Sequence, residues 1–250
     1  MMQYMSKKVV VFDLDDTLYK EIDFLKSGYL EVAKMVGKRY GLESCGVYDQ
    51  LLSWYYKGEN AFACLNEKYG LNNPIEDYLN IYRFHQPTLS LSAETKEALS
   101  GLKDMDAAMG IITDGREITQ KQKIEALGLT EWISMDNVLI NVKKAHFKPN
   151  NWSFERMKQK CYEQYQDMNL SFYYVGDNPE KDFIVPNQWG WETICLLDDG
   201  RNIHHQNFDL PQDFLPKHKI TDIKDLLYGL RESVRNARDS KRTFKVDERI

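Results

Sequence analysis

Val9-Val10-Val11-Phe12-Asp13-Leu14-Asp15-Asp16-Thr17 is a short apolar run that stops abruptly on acids. Four apolar residues in a row, without polar alternation, suit a strand covered on both faces, as in a parallel sheet. Side chains at i and i+2 near a strand end project to the same side. Asp13 and Asp15 are therefore expected to face the crevice outside the carboxyl ends of the strands, where open α/β sheets bind ligands, with Asp16 pointing elsewhere. An acid-rich turn or helix N-cap would look the same if this stretch stood alone.

It does not stand alone. The apolar run at 107–112 ends in Thr113-Asp114-Gly115, and the run at 172–175 ends in Gly176-Asp177 with Asp182 five residues on. Shorter runs lie at 138–140 and 193–197. Lys148-Pro149 sits in a loop between an apolar run and a helical stretch, with Lys143 and Lys144 as nearby competitors for the same role. Helical spacing is expected at 92–105, where Ser92 can cap, at 117–127, with Ile118, Ile124 and Leu127 as its apolar positions and Gly128 as the stop, and at 151–166. Strands alternating with helices from residue 91 onward predict a Rossmann-like, doubly wound parallel sheet of the α/β class. An acid pair, a hydroxyl, a lysine and a second acid pair thus follow in order, mostly at strand ends.

Composition narrows the class. The 250 residues carry 33 basic and 38 acidic side chains, a net charge of −5. Mild acidity argues against a nucleic-acid binder but leaves room for one positive pocket that takes a small anion. No apolar run approaches the roughly 18 residues of a membrane span. The apolar run before Asp13 is only four residues long, so no cleaved secretory signal is expected. Cys45, Cys64, Cys161 and Cys195 form no CxxC pair, which points to the reducing cytoplasm.

Asp13-x-Asp15-x-Thr17, Thr113-Asp114-Gly115, Lys148 and Gly176-Asp177 with Asp182 together resemble the four motifs of the haloacid dehalogenase-like hydrolase superfamily. The resemblance covers residues 1–18 and 91–250 as the α/β core. It implies that residues 19–90 are a small all-helical cap of the C1 type, inserted after the first motif. It further implies a phosphatase that uses Mg²⁺ and an aspartyl-phosphate intermediate on a small phosphorylated metabolite. Asp13 would be the nucleophile and Asp15 the acid and base. Asp13, the backbone carbonyl of Asp15 and Asp177 would hold the metal. Thr113, Asp114, Gly115 and Lys148 would bind the phosphate, with Thr17 and Asp182 in support, Asp182 orienting either Lys148 or a water. The Lys-Pro pair favours Lys148 over its neighbours. A sugar phosphomutase, a dehalogenase and a non-catalytic phosphate-binding module are the other readings. The acid at Asp15 speaks against the dehalogenase, whose halide leaves without a proton.

Residues 19–90 carry nine of the fifteen tyrosines on helically spaced stretches, as packing, as a face toward substrate, or both. Arg116, His204-His205, Trp189 and Trp191 read respectively as a helix start, a polar loop and packing residues. Residues 223–230 look like a last amphipathic helix, and 231–250 like a charged extension without a fixed role.

Overall fold

The computed structural model describes residues 6–166 and 169–236. Its centre is a sheet of β1 (Lys7–Phe12), β2 (Ala108–Asp114), β3 (Val138–Asn141), β4 (Leu170–Gly176), β5 (Glu192–Leu196) and β6 (His218–Ile220). The strands lie in the order β3-β2-β1-β4-β5-β6 and all neighbours are parallel. The chain builds outward from β1 to β3, then returns to the other side of β1 as β4. That reversal opens a crevice at the carboxyl ends of β1, β2 and β4. The expected doubly wound α/β sheet is the observed one. β6 was not foreseen, because His218-Lys219-Ile220 carries no apolar run; its pairing with β5 defines it.

The triple valine is explained by two separate apolar layers. Val10 and Phe12 pack on one face with Leu99 and Leu102 of α5 (Ala93–Asp104), Ile124 of α6 (Glu117–Ala126) and Leu226 of α9 (Asp225–Asn236). Val9 and Val11 pack on the other with Phe154 and Met157 of α7 (Trp152–Gln164) and with Phe183, just before α8 (Ile184–Gln188). Neither face of β1 meets water, so no alternation is needed. Trp191 is buried and stacks on Phe172 with ring centroids 4.6 Å apart, which accounts for it as packing. The Ser92 hydroxyl caps α5 by accepting from the Thr95 N–H at 3.0 Å.

Between β1 and α5 run α1 (Glu21–Tyr40), α2 (Ser44–Tyr56), α3 (Ala61–Tyr69) and α4 (Ile75–Phe84). They share an apolar centre of their own, with Val32, Val36, Leu51 and Leu65 fully buried. Tyr78 is fully buried too, accepting from Asn73 Nδ2 at 2.8 Å and donating to Asn66 Oδ1 at 2.7 Å. α1 is started by Asp16, whose φ is +58°. Its carboxylate accepts the N–H of Glu21 at 2.9 Å and of Ile203 at 3.0 Å. Phe24 and Tyr19 pack in the layer of the sheet, so the root of α1 is fixed to the α/β part.

α6 departs from its expected face. Ile118 is 50% exposed, whereas Thr119, Gln120 and Lys123 are buried beside Ile124. Polar side chains point inward because the helix runs past Asp15 and Thr113, described below. Most of the charged stretch 231–250 lies outside the described residues.

Candidate active site

Asp13 leaves the end of β1 with its N–H bonded to the Val175 carbonyl at 2.9 Å, which fixes it beside the end of β4. Its carboxylate is almost wholly buried. Oδ1 lies 2.7 Å from Lys148 Nζ, and Oδ2 has no partner. Lys148 also reaches Asp182 Oδ1 at 2.7 Å and donates to the Tyr174 hydroxyl at 3.1 Å. Asp182 Oδ2 accepts the Asn178 N–H at 2.9 Å, so both of its oxygens are occupied. Asp177 Oδ2 accepts from Asn202 Nδ2 at 3.1 Å. Asp13, Asp177 and Asp182 each offer an oxygen, all within 4.8 Å of one another.

Three buried carboxylates this close are electrostatically frustrated. Burial pushes Asp13 up to about 6, against the pull of Lys148. Burial, with Asp182 and Asp13 adding repulsion, pushes Asp177 up to about 8. Asp182 goes the other way: burial alone would raise it, but Lys148 and Lys181 hold it below the usual carboxylate range. Burial would lower Lys148, but Asp13, Asp182 and Asp114 override it and hold its ammonium charged. The arrangement is short of positive charge at Asp13 and Asp177 and satisfied at Asp182.

The surrounding backbone is shaped to this end. Both Asp114 oxygens accept the Lys148 N–H, at 3.3 and 3.2 Å, and Oδ1 also takes Asn141 Nδ2 at 2.8 Å. Asp114 thus holds the lysine loop rather than presenting its carboxylate to a ligand. The Lys148–Pro149 peptide is cis. Gly115, at φ +146°, makes the turn after β2, and its N–H is engaged by the Asn141 carbonyl at 3.0 Å, so this N–H, unlike the one the motif implies, is not free for a phosphate. A Cβ on Gly176 would stand 2.5 Å from Asp182 Oδ2. Lys143 and Lys144 are exposed, as are His204 and His205. Thr17 is buried, and its hydroxyl has no partner.

Asp15 does not join the three-acid group. Its Oδ1 accepts from Lys123 Nζ at 2.7 Å and from the Tyr19 hydroxyl at 2.5 Å; Oδ2 accepts from Gln120 Nε2 at 2.9 Å. Burial would raise Asp15, but Lys123, Tyr19 and Gln120 hold it below the ordinary range. Gln120 Nε2 also meets Thr113 Oγ1 at 2.6 Å. Lys123 reaches Glu21 Oε1 at 3.5 Å.

A profile of the haloacid dehalogenase-like hydrolases matches residues 10–195. The chain belongs to that family. Glyceraldehyde 3-phosphate phosphatase of Methanocaldococcus jannaschii is 26% identical over 205 residues, covering 76% of this chain and 85% of the relative. Among solved structures, a HAD phosphatase from Thermococcus onnurineus superposes with a TM-score of 0.52 at 18% identity, covering 91% of this chain and 97% of its own. A 2-haloacid dehalogenase from Pseudomonas syringae superposes with a TM-score of 0.55 at 17% identity, covering 91% and 99%. At such identities the superpositions show the fold, which phosphatases and dehalogenases of the family share. Function has to be argued from the site.

The motif residues of this family member were readable in its sequence; Gln120, Lys123, Tyr19, Glu21, Tyr174 and Asn202 were not. Gln120 and Lys123 left one trace: with Thr119 they place polar side chains on the same helical face as Ile124. Asn202 lies 25 positions from Asp177 in an irregular loop and left none.

Proposed function

We propose that this hydrolase is a Mg²⁺-dependent phosphatase acting on a small phosphorylated metabolite through an aspartyl phosphate. One observation carries the reading. Asp13 has one buried oxygen clamped by Lys148 and the other unpartnered, in a group of three acids of which Lys148 bridges only Asp13 and Asp182. A carboxylate nucleophile divides phosphate-ester hydrolysis into two easier displacements.

The donor set fits a hard, oxygen-seeking cation. Asp13 and Asp177, both pushed upward by burial, are the carboxylates that gain most from one. They and the backbone carbonyl of Asp15 would hold it. When bound, Mg²⁺ offsets the repulsion between carboxylates and a phosphate dianion. In the first displacement an Asp13 oxygen bonds to phosphorus as the ester P–O bond breaks; the incoming phosphate dianion opposes the pull of Lys123 on Asp15, so that Asp15 takes up a proton on substrate binding and gives it to the leaving alkoxide. In the second, Asp15 takes a proton from the water that attacks phosphorus; the Asp13–phosphorus bond breaks and inorganic phosphate leaves. Thr113 and Lys148 neutralise the transferring oxygens. Asp182 orients Lys148, Asp114 sets its backbone, Gly115 shapes the turn, and the buried Thr17 hydroxyl, unpartnered here, is a further polar group beside the motif.

Residues 19–90, as a cap over this crevice, restrict access and favour a small substrate. The archaeal relative's name puts three-carbon sugar phosphates first among candidates. No described helix is long and apolar enough to cross a membrane, and four free cysteines suit the cytoplasm.

The test is phosphate release from a panel of phosphorylated metabolites, with Mg²⁺ and with chelator, beside Asp13→Asn. Wild type should work only with the cation, and the variant should lose about 10⁴-fold or more. Folded wild-type protein inactive on the whole panel, or an undiminished Asp13→Asn, would sink the reading. Isomerised product without released phosphate would instead mark a mutase.

A further inference from the structure

Asp15 is gripped at both oxygens by one short helix. α6 supplies Lys123 to Oδ1 and Gln120 to Oδ2, and Gln120 also holds the Thr113 hydroxyl. The outer contacts of α6 go to the inserted helices. Thr119 Oγ1 donates to the Arg83 carbonyl at 3.1 Å, and Gln122 Nε2 donates to the Phe84 carbonyl at 3.3 Å, both at the end of α4. Lys123 itself reaches Glu21, the first residue of α1. The insert therefore meets α6 where it leaves the sheet and where it returns.

We propose that Lys123 is the positioning residue for Asp15, with Glu21 as its link to the inserted helices. The ammonium lies 4.6 Å from the Phe24 ring centroid and is buried, so its charge acts on the two carboxylates with little screening. With Gln120 on the opposite oxygen, it fixes the plane of the Asp15 carboxylate as well as its location. A shift of α1 relative to the sheet changes the Lys123–Glu21 contact and, through it, the seat of Asp15. Stability alone is a poor reason for this pair, because a buried ion pair is often matched by apolar residues of similar size.

The inference rests on the phosphatase reading, and the experiment separates the two. Values of kcat/KM, which report the first displacement and not the hydrolysis of the aspartyl phosphate that both esters share, are compared for an aryl phosphate, whose leaving group needs little proton assistance, and an alkyl phosphate, which depends on a well-placed Asp15. Lys123→Met eases protonation of Asp15 but frees its carboxylate plane, and should lower kcat/KM for the alkyl ester by about 10²-fold and for the aryl ester by no more than about threefold. Lys123→Arg should restore part of the loss. Glu21→Gln should show the same preference for harming the alkyl ester, by about fivefold. Melting curves accompany each variant; if Lys123→Met does not fold, the Arg and Gln variants carry the comparison. Equal slowing of both esters, or of neither, overturns the positioning role. An active Asp13→Asn overturns the phosphatase reading itself, whereas an inactive Asp13→Asn with no ester preference at Lys123 overturns only this inference.

Discussion

Lys148 and Lys123 are both buried, and each serves two carboxylates, but the two clusters are built from different parts of the chain. Lys148 bridges Asp13 and Asp182 at 2.7 Å each, and every participant is set by a strand end or the loop beside one. Lys123 lies 2.7 Å from Asp15 and 3.5 Å from Glu21, and Glu21 belongs to the inserted helices. The first cluster is symmetric, tight and internal to the sheet. The second is asymmetric and spans two bodies of secondary structure. A rigid cluster suits the atom that attacks; a bridging one suits a group whose placement responds to the insert.

The comparison is most exposed at Lys148. Lys148→Met leaves Asp13 and Asp182 buried without their counter-ion, a loss of about 3–5 kcal/mol in stability. Phosphate release should fall by about 10³-fold for every leaving group, since the lost charge faces the transferring phosphoryl oxygens. An ester preference like that predicted for Lys123 would erase the distinction between the clusters. Melting and paired-substrate kinetics decide it.

A smaller effect should follow at Gly176. An alanine Cβ there would stand 2.5 Å from Asp182 Oδ2 and force that carboxylate off its seat. Overpacking of this kind costs about 1–3 kcal/mol, read as a lowered melting temperature. An unchanged melting temperature in Gly176→Ala would show that Asp182 shifts freely and that the Lys148 cluster is less rigid than its geometry implies.

The smallest effect is a slope with pH. Asp13 at about 6, Glu21 at about 7 and Asp177 at about 8 are all raised by burial, so the folded protein binds more protons than the unfolded chain above the usual carboxylate range. Stability in chelator should therefore fall as pH rises from about 5 to 8. Mg²⁺ favours the charged forms of Asp13 and Asp177, so it should raise the melting temperature most near pH 8. The Glu21 share of the slope should persist with Mg²⁺ present, which separates the two clusters in one titration. A flat profile in chelator would contradict the frustration of the acid cluster.

The two clusters also differ in how legible they were. Asp13, Asp177, Asp182 and Lys148 stand at or beside the ends of strands, and an apolar run interrupted by acid or glycine is a local signal. The Lys123 cluster hid behind a sound rule misapplied. Ile118, Ile124 and Leu127 read as apolar helical spacing, yet Ile118, six residues from Ile124, turns away and is half exposed, while Thr119, Gln120 and Lys123 face inward. The rule assumes that the interior is apolar, and beside Asp15 it is not. β6 escaped for a different reason: three residues on a sheet edge take their conformation from the neighbouring strand, not from their own pattern.

The run Val9 to Phe12 and its counterparts determine a parallel α/β sheet, because unalternated apolar strands can be satisfied only between two covering layers. The motif order determines which loops meet at its carboxyl edge. Only the tertiary structure decided where charge is left over. Asp13 Oδ2 is unpartnered while Asp182 is saturated, and Asp15 turns to α6 instead of joining the other acids. Hydrogen bonds and burial act between side chains 25 to 108 positions apart, and no local pattern records them.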